Sequence, residues 1–329
     1  MTGYIVRRLV SMVLMLLLLT LVVFLLFSVL PTDPARLTCG KACSPAVIDA
    51  NRHNLGLDLP IWQQYWEYLK GIFVGRTYGS GTATYDCSAP CLGYSFKRQT
   101  PVTQLIVTAF PTTFWLAIGA FILWIVVGIS AGIYAALRRG KWQDKLVMGV
   151  SLVGYSLPSF FVGLVLLFFV IIKWQLLPYP SYVSPFVNPL QFFQTMLLPW
   201  IVLAFLYAAF YMRLTRNQML DTLGEDYIRT ARSKGLRERV VIRKHGLRAG
   251  LTPIVTAAGL DLAGLLGGAL FTEQIYSLPG LGSLAVNSVV DADLPLIVGI
   301  TLVSATFIIV ANLIVDLLYA VIDPRVRLV

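Results

Sequence analysis

The chain has 329 residues, of which 57% are hydrophobic and only 13% charged. A soluble domain has about a quarter of its residues charged, so this chain cannot hide its apolar surface in one water-facing core and needs lipid as its solvent. The formal net charge of +10 sits in short segments between apolar runs and not along a groove, which argues against nucleic acid as a partner and fits the basic bias of membrane loops.

Residues 9–30 carry no charge and follow Arg7 and Arg8. A membrane span needs about 20 apolar residues, so this run suffices. A cleaved signal peptide would have an apolar region of roughly 7–15 residues and a small-residue cleavage site, and neither is present. The run reads as a retained first helix. Residues 31–98 are the only stretch of soluble-like composition. Within them "LDLPIWQQYWEYLKGIF" reads as an amphipathic helix with Trp62, Tyr65, Trp66 and Leu69 on one face. That face either packs on the protein or lies at the membrane interface as an aromatic anchor, and packing is the simpler of the two. Cys39, Cys43, Cys87 and Cys91 fall in the same segment. An even count suits disulfides in an outer compartment, the spacing also suits a four-cysteine metal site, and disulfides are the preferred reading. Four cysteines allow three pairings, and the sequence does not choose among them.

Residues 99–137 are again free of charge. Their length predicts an interfacial entry with Thr100 as N-cap, Pro101 at the first helical position and a kink at Pro111, then a span that ends near Arg138. Residues 146–172 read as a third span. The prolines after Lys173 predict a loop, residues 196–212 a fourth span, 249–272 a fifth and 294 to about 319 a sixth. Asp261 interrupts the fifth. Carboxylates inside a membrane face a cavity or bond to a neighbouring helix, and both readings are open.

Of the 26 Lys and Arg, 18 fall on the side that carries both termini, residues 138–145 and residues 213–248. The richer side is cytoplasmic, which puts both termini inside and residues 31–98 outside. There is no phosphate-binding glycine loop, no H-E-x-x-H and no nucleophile elbow. The two histidines, His53 and His245, fall on opposite sides, so neither a resident metal site nor an acid–base pair can be built from them. This argues against an intramembrane enzyme.

Residues 213–248 hold ten basic side chains beside Asp221, Glu225, Asp226 and Glu238. Glu225 and Asp226 suit the first turn of a helix, Arg232 and Lys234 the last, and Gly235 the left-handed position that ends it. Residues 225–235 therefore read as one short helix with Tyr227, Ile228 and Ala231 on one side. It serves either as a knob for a soluble partner or as an interfacial helix with arginines on lipid phosphates.

Arg229-Thr230-Ala231, followed after three residues by Gly235, resembles the E-A-A-x-x-x-G signature of ABC importer permeases, although its first two positions depart from it. The whole of "DYIRTARSKGL" is similar to the oligopeptide and dipeptide branch. Glu273, Pro279, Gly280 and Gly282 resemble that branch's outer-loop motif, and Asn312, Asp316, Tyr319, Asp323, Pro324 and Arg325 its C-terminal ending. The resemblance covers residues 1–30 and roughly 95–329. It implies an all-α polytopic protein with the six-helix type I importer permease fold, an extracytoplasmic insertion at 31–98 and a permease core at 99–329. The implied protein is a non-catalytic subunit of the cell membrane. Its implied partners are a second homologous permease, two cytoplasmic ATPases that hold ATP and Mg, an extracytoplasmic binding protein and a di- or oligopeptide cargo. Residues Glu225 to Ala231, with Gly235, would then be the ATPase-coupling helix. Nickel or another small solute is the alternative cargo, and a gradient-driven secondary transporter the alternative class. Gly128-x-x-x-Gly132 and Gly264-x-x-x-Gly268 allow close helix approach, here expected within the subunit and not at the seam between permeases.

Overall fold

The computed structural model describes residues 2–29, 35, 44–54, 57–78 and 84–322. Cys39, Cys43, Asp323 and Arg325 lie outside the described residues, as does the side chain of Asp316. In chain order come α1 (Thr2–Val29), α2 (Pro45–Asn54), α3 (Ile61–Val74) and two small antiparallel hairpins. The hairpins pair β1 (Arg76–Tyr78) with β2 (Tyr85–Cys87) and β3 (Tyr94–Ser95) with β4 (Thr100–Pro101). Then follow α4 (Val102–Leu137), α5 (Trp142–Ser156), α6 (Ser159–Leu166) with a π-helical continuation Leu167–Lys173, and α7 (Pro189–Gly224). The last third has α8 (Asp226–Ser233), a mixed helical stretch from Glu238 to Gly250, α9 (Thr252–Leu266), α10 (Leu270–Ile275), α11 (Leu281–Val290) and α12 (Leu294–Ile322).

Among the described residues, α1, α4, α7 and α12 are long and apolar enough to cross a membrane, and the number is six if each of two bent helix pairs is one span. The architecture is thus polytopic and helical, with the two hairpins as its only strands among the described residues. Four of the expected boundaries need correction. Thr100 and Pro101 do not open α4: they form β4, paired with Ser95 and Tyr94, and α4 then runs through Pro111 as one 36-residue helix. The third span is broken at Leu157 and bent by 97°, because Pro158 disfavours the α conformation of the residue before it and Leu157 is extended. The fourth is far longer than residues 196–212. Asn188 caps its start, its Oδ1 accepting from the Gln191 N–H at 3.1 Å, and Pro189 occupies the first turn. The fifth ends at Leu266, where Gly267 and Gly268 separate it from α10.

The core forms where α4 lies along α7. A Cβ on Gly128 would stand 2.7 Å from the Tyr211 Cβ, and one on Gly132 2.6 Å from the Thr215 Cβ. The glycines let the two backbones approach within the subunit. Gly264 does not act this way, since a Cβ there would meet nothing within 4 Å. Beside the α4–α7 seam the Trp124 ring, fully buried, stacks on Tyr207 at 4.5 Å between centroids. Helix α1 stands apart from this core on α12, with most of its described side chains exposed.

Candidate functional site

Helix α8 projects from the end of α7. The chain turns at Glu225, whose carbonyl accepts from Ile228 and Arg229 and whose side chain makes no capping bond, so Glu225 precedes the helix and only Asp226 lies in its first turn. Ile228 and Ala231 are buried against Val241 and Leu223. This divides the side read from the sequence, which Tyr227 does not share. The small inner face is already covered by the chain itself, and Asp226, Tyr227, Arg229, Thr230 and Ser233 face outward. Helical period identifies a face from sequence, but only the return of the chain at Val241 decides what covers it.

The end of α8 is a Schellman arrangement. The Leu236 N–H donates to the Ala231 carbonyl at 3.4 Å, the Gly235 N–H to that of Arg232 at 2.9 Å, and Gly235 has φ +75°. Arg232, itself solvent-exposed, forms a two-pronged pair with Glu238, at 2.7 and 3.2 Å. Its guanidinium holds the Glu238 carboxyl below the usual carboxylate range, so the pair stays charged around neutral pH. Because Ala231 is packed internally, Ala231→Trp should destabilise the permease without any partner, by about 1–3 kcal/mol. Thermal unfolding of the purified subunit in detergent checks this, and an unchanged midpoint would place Ala231 on the outer face instead.

On the same side, Asp144 at the start of α5 receives Arg216 of α7 at 2.6 and 2.8 Å and the Gly140 N–H at 2.9 Å. Arg216 lies in the stretch that composition marks only as a basic loop. No local signal exposes the pair, whose members are 72 residues apart.

At the opposite end, Glu273 is fully buried. Its carboxylate accepts from the Thr113 hydroxyl at 2.8 Å, the Ser283 N–H at 2.9 Å and the Ala269 N–H at 3.4 Å. Thr113 in turn accepts from the Leu281 N–H at 2.8 Å. The segment Pro279-Gly280-Leu281-Gly282 wraps this carboxylate so tightly that a Cβ on Gly280 would lie 2.4 Å from it, and one on Gly282 2.8 Å from the Leu270 nitrogen. Glu273 thus ties α10 to the N-terminus of α11, where its carboxyl takes the Ser283 N–H, a group with no partner inside the helix.

Asp261 on α9 is half-buried and accepts from the Tyr211 hydroxyl at 2.6 Å. The hydrogen bond to a neighbouring helix is therefore present. Cys87 and Cys91 are joined by a disulfide beside a cluster of Tyr78, Tyr85, Tyr94 and Phe96. Among the described residues no group of three or more His, Cys, Asp or Glu is placed to hold a metal ion.

The helical bundle thus carries a short helix projecting at one face and a glycine-wrapped carboxylate at the other. Residues 128–328 match the family of binding-protein-dependent transport system inner membrane components, and residues 1–117 its N-terminal region. The chain belongs to that family: it is a multi-pass ABC importer permease, which sets aside the secondary-transporter alternative. It is 38% identical to the dipeptide transport system permease protein DppB of Escherichia coli K12 and 37% identical to a putative peptide transport system permease protein of Brucella abortus, each over 99% of both chains. It is 38% identical to the glutathione transport system permease protein GsiC of Pectobacterium atrosepticum, again over 99% of both. A chain of the inward-facing MetNI methionine ABC transporter superposes with a TM-score of 0.54 at 17% identity, covering 67% of this chain and 97% of that one, a likeness of fold.

Proposed function

We propose that this permease carries di- or oligopeptides delivered by an extracytoplasmic binding protein, together with a second homologous permease and two cytoplasmic ATPases that hold ATP and Mg. The peptide cargo is supported by full-length relatives named for dipeptide, peptide and glutathione transport. In this reading both termini and α8 are cytoplasmic and residues 31–98 lie outside, in keeping with the basic asymmetry.

The observation that carries the coupling role is the two-sided build of α8. Its outward face of Tyr227, Arg229, Thr230 and Ser233 docks on an ATPase, and its inward Ile228 and Ala231 are packed on Leu223 and Val241. ATP-driven displacement of α8 then passes directly to the end of α7 and to the stretch that leads into α9. A loop would absorb the same push. In a variant without native cysteines, single cysteines at Tyr227 and Thr230 should cross-link to the ATPase in the assembled complex. In intact cells, membrane-impermeant reagents should reach a cysteine at Tyr78 and miss one at Lys234. Absence of ATPase cross-links in an assembled complex rejects the coupling role, and the reverse labelling pattern rejects the topology.

Asp261 lines the translocation path in this reading and meets the ammonium end of the peptide. Asp261→Asn keeps an oxygen for the Tyr211 hydroxyl but loses the charge, so uptake should fall about tenfold or more with assembly and basal ATP hydrolysis retained. Loss of folded protein instead would make Asp261 a purely structural acceptor.

A further inference from the structure

Among the described residues, the one hydrogen-bond donor to Asp261 of α9 is the Tyr211 hydroxyl of α7, at 2.6 Å from Oδ2. That tyrosine is firmly placed. It is fully buried, its Cβ fills the room left by the missing side chain of Gly128, and its ring stacks on Trp124 at 6.4 Å between centroids. Trp124 is held in turn by Tyr207, one turn earlier on α7. The hydroxyl is therefore a donor fixed to α7, and it sets how the Asp261 carboxylate is turned, with Oδ2 taken and Oδ1 available.

The two partners belong to two arms that meet at α8. The first arm is α7, which carries Tyr211 and ends at Gly224, just before α8 begins at Asp226. Gly224 lies 13 positions after Tyr211 with no proline between them. That is about 20 Å of helix at 1.5 Å per residue. The second arm is the stretch from Glu238 to Gly250, followed by α9. Its lower part is pinned to the foot of the first: Val241 packs on Ile228 and Ala231, and a Cβ on Gly250 would stand 3.2 Å from the Met219 sulfur and 3.3 Å from the Thr222 hydroxyl oxygen. It then bends by 47° before α9 brings Asp261 back to α7. One arm is a continuous helix and the other has a joint, so a displacement of α8 reaches their far ends unequally. About 1 Å of relative slide is enough to break a hydrogen bond of this length.

We propose that Tyr211 is the positioning residue of the cargo site, and that its bond to Asp261 makes the site sensitive to the position of α8. This rests on the reading above, in which Asp261 meets the ammonium end of the peptide and α8 docks on an ATPase. With the bond closed, the carboxylate is held in one orientation and Oδ1 receives the ammonium. When α8 is displaced, the Tyr211 hydroxyl slides away, the carboxylate turns, and the ammonium loses its fixed partner. Cargo affinity thus follows the state of the ATPases through two side chains. By reciprocity, an ammonium on Asp261 biases the position of α8.

A double-mutant cycle in dipeptide uptake tests the positioning role, with the complete transporter reconstituted beside its binding protein. Tyr211→Phe keeps the ring on Trp124 and removes only the hydroxyl. It should lower uptake about fivefold or more in the parent, and less than about twofold in the Asp261→Asn background. Equal factors in the two backgrounds would overturn the positioning role and leave the ammonium reading standing. So would an unchanged rate in Tyr211→Phe beside an impaired Asp261→Asn. An unimpaired Asp261→Asn protein would overturn both. The link to α8 has a separate readout. Meta-fluorotyrosine at Tyr211 should shift its fluorine resonance between the nucleotide-free transporter and the transporter trapped with ATP and vanadate. Meta-fluorophenylalanine at the same position, which lacks the hydroxyl, should show little of that shift. An equal shift in both proteins, or none in either, would overturn the link.

Discussion

Asp144→Ala should lower the stability of the permease by about 3–5 kcal/mol, because it strands a guanidinium whose side chain is only 20% exposed beside a carboxylate site that is 6% exposed. The loss is one of partnership more than of attraction. Two charges taken out of water roughly repay their desolvation when paired, and one left behind does not. Arg216→Met should therefore cost a similar amount, since it leaves the Asp144 carboxylate with the Gly140 N–H as its remaining donor. The double variant Asp144→Leu, Arg216→Met removes both charges and should recover most of the loss. Thermal unfolding of the four proteins in detergent gives the comparison. If each single change lies within about 0.5 kcal/mol of the parent, as at an ordinary surface position, the pair does not hold α5 to α7.

The second large effect is expected at the glycine-wrapped carboxylate. Glu273→Ala removes the acceptor for the Thr113 hydroxyl and for the Ser283 and Ala269 N–H groups at a fully buried site. At about 1–3 kcal/mol for each stranded group, the loss is several kcal/mol even if one donor finds a new partner. Gly280→Ala attacks the same site from the other side. Its added Cβ would sit 2.4 Å from the Glu273 carboxylate, so the loop must open, at about 1–3 kcal/mol or more. Protease sensitivity of the α10–α11 segment should rise in both variants, with α4 and α7 still protected. A Gly280→Ala protein as resistant as the parent would show that the loop is not closed on the carboxylate.

These two sites were legible in the sequence to different degrees. Glu273, Gly280 and Gly282 stand out there as a motif, but the reason for the motif is the approach of Thr113, 160 residues away from Glu273. Other misplacements had local signals. Pro158 marks the break in the third span through its effect on Leu157, and Asn188-Pro189 is a helix start that outranks the apolar run beginning at residue 196. Neither needs tertiary information to be read.

Composition alone determined that the chain lives in lipid, because no folding of so apolar a chain can leave its surface wet. The length of the apolar runs determined about how many times it crosses, and the glycine after Ser233-Lys234 determined where α8 stops, since φ +75° suits glycine far better than any other residue there. What only the tertiary structure decided is the company each side chain keeps. Ile228 and Ala231 share a helical face by periodicity, but Val241 makes that face internal. Asp144 and Arg216 are two charges in two loops until α5 and α7 bring them to 2.6 Å. Trp66 and Tyr65 look like one aromatic face until α1 takes the tyrosine and leaves the tryptophan exposed. Local sequence sets which conformations a segment prefers, whereas contact energies depend on atoms within a few ångströms, and those come from distant parts of the chain.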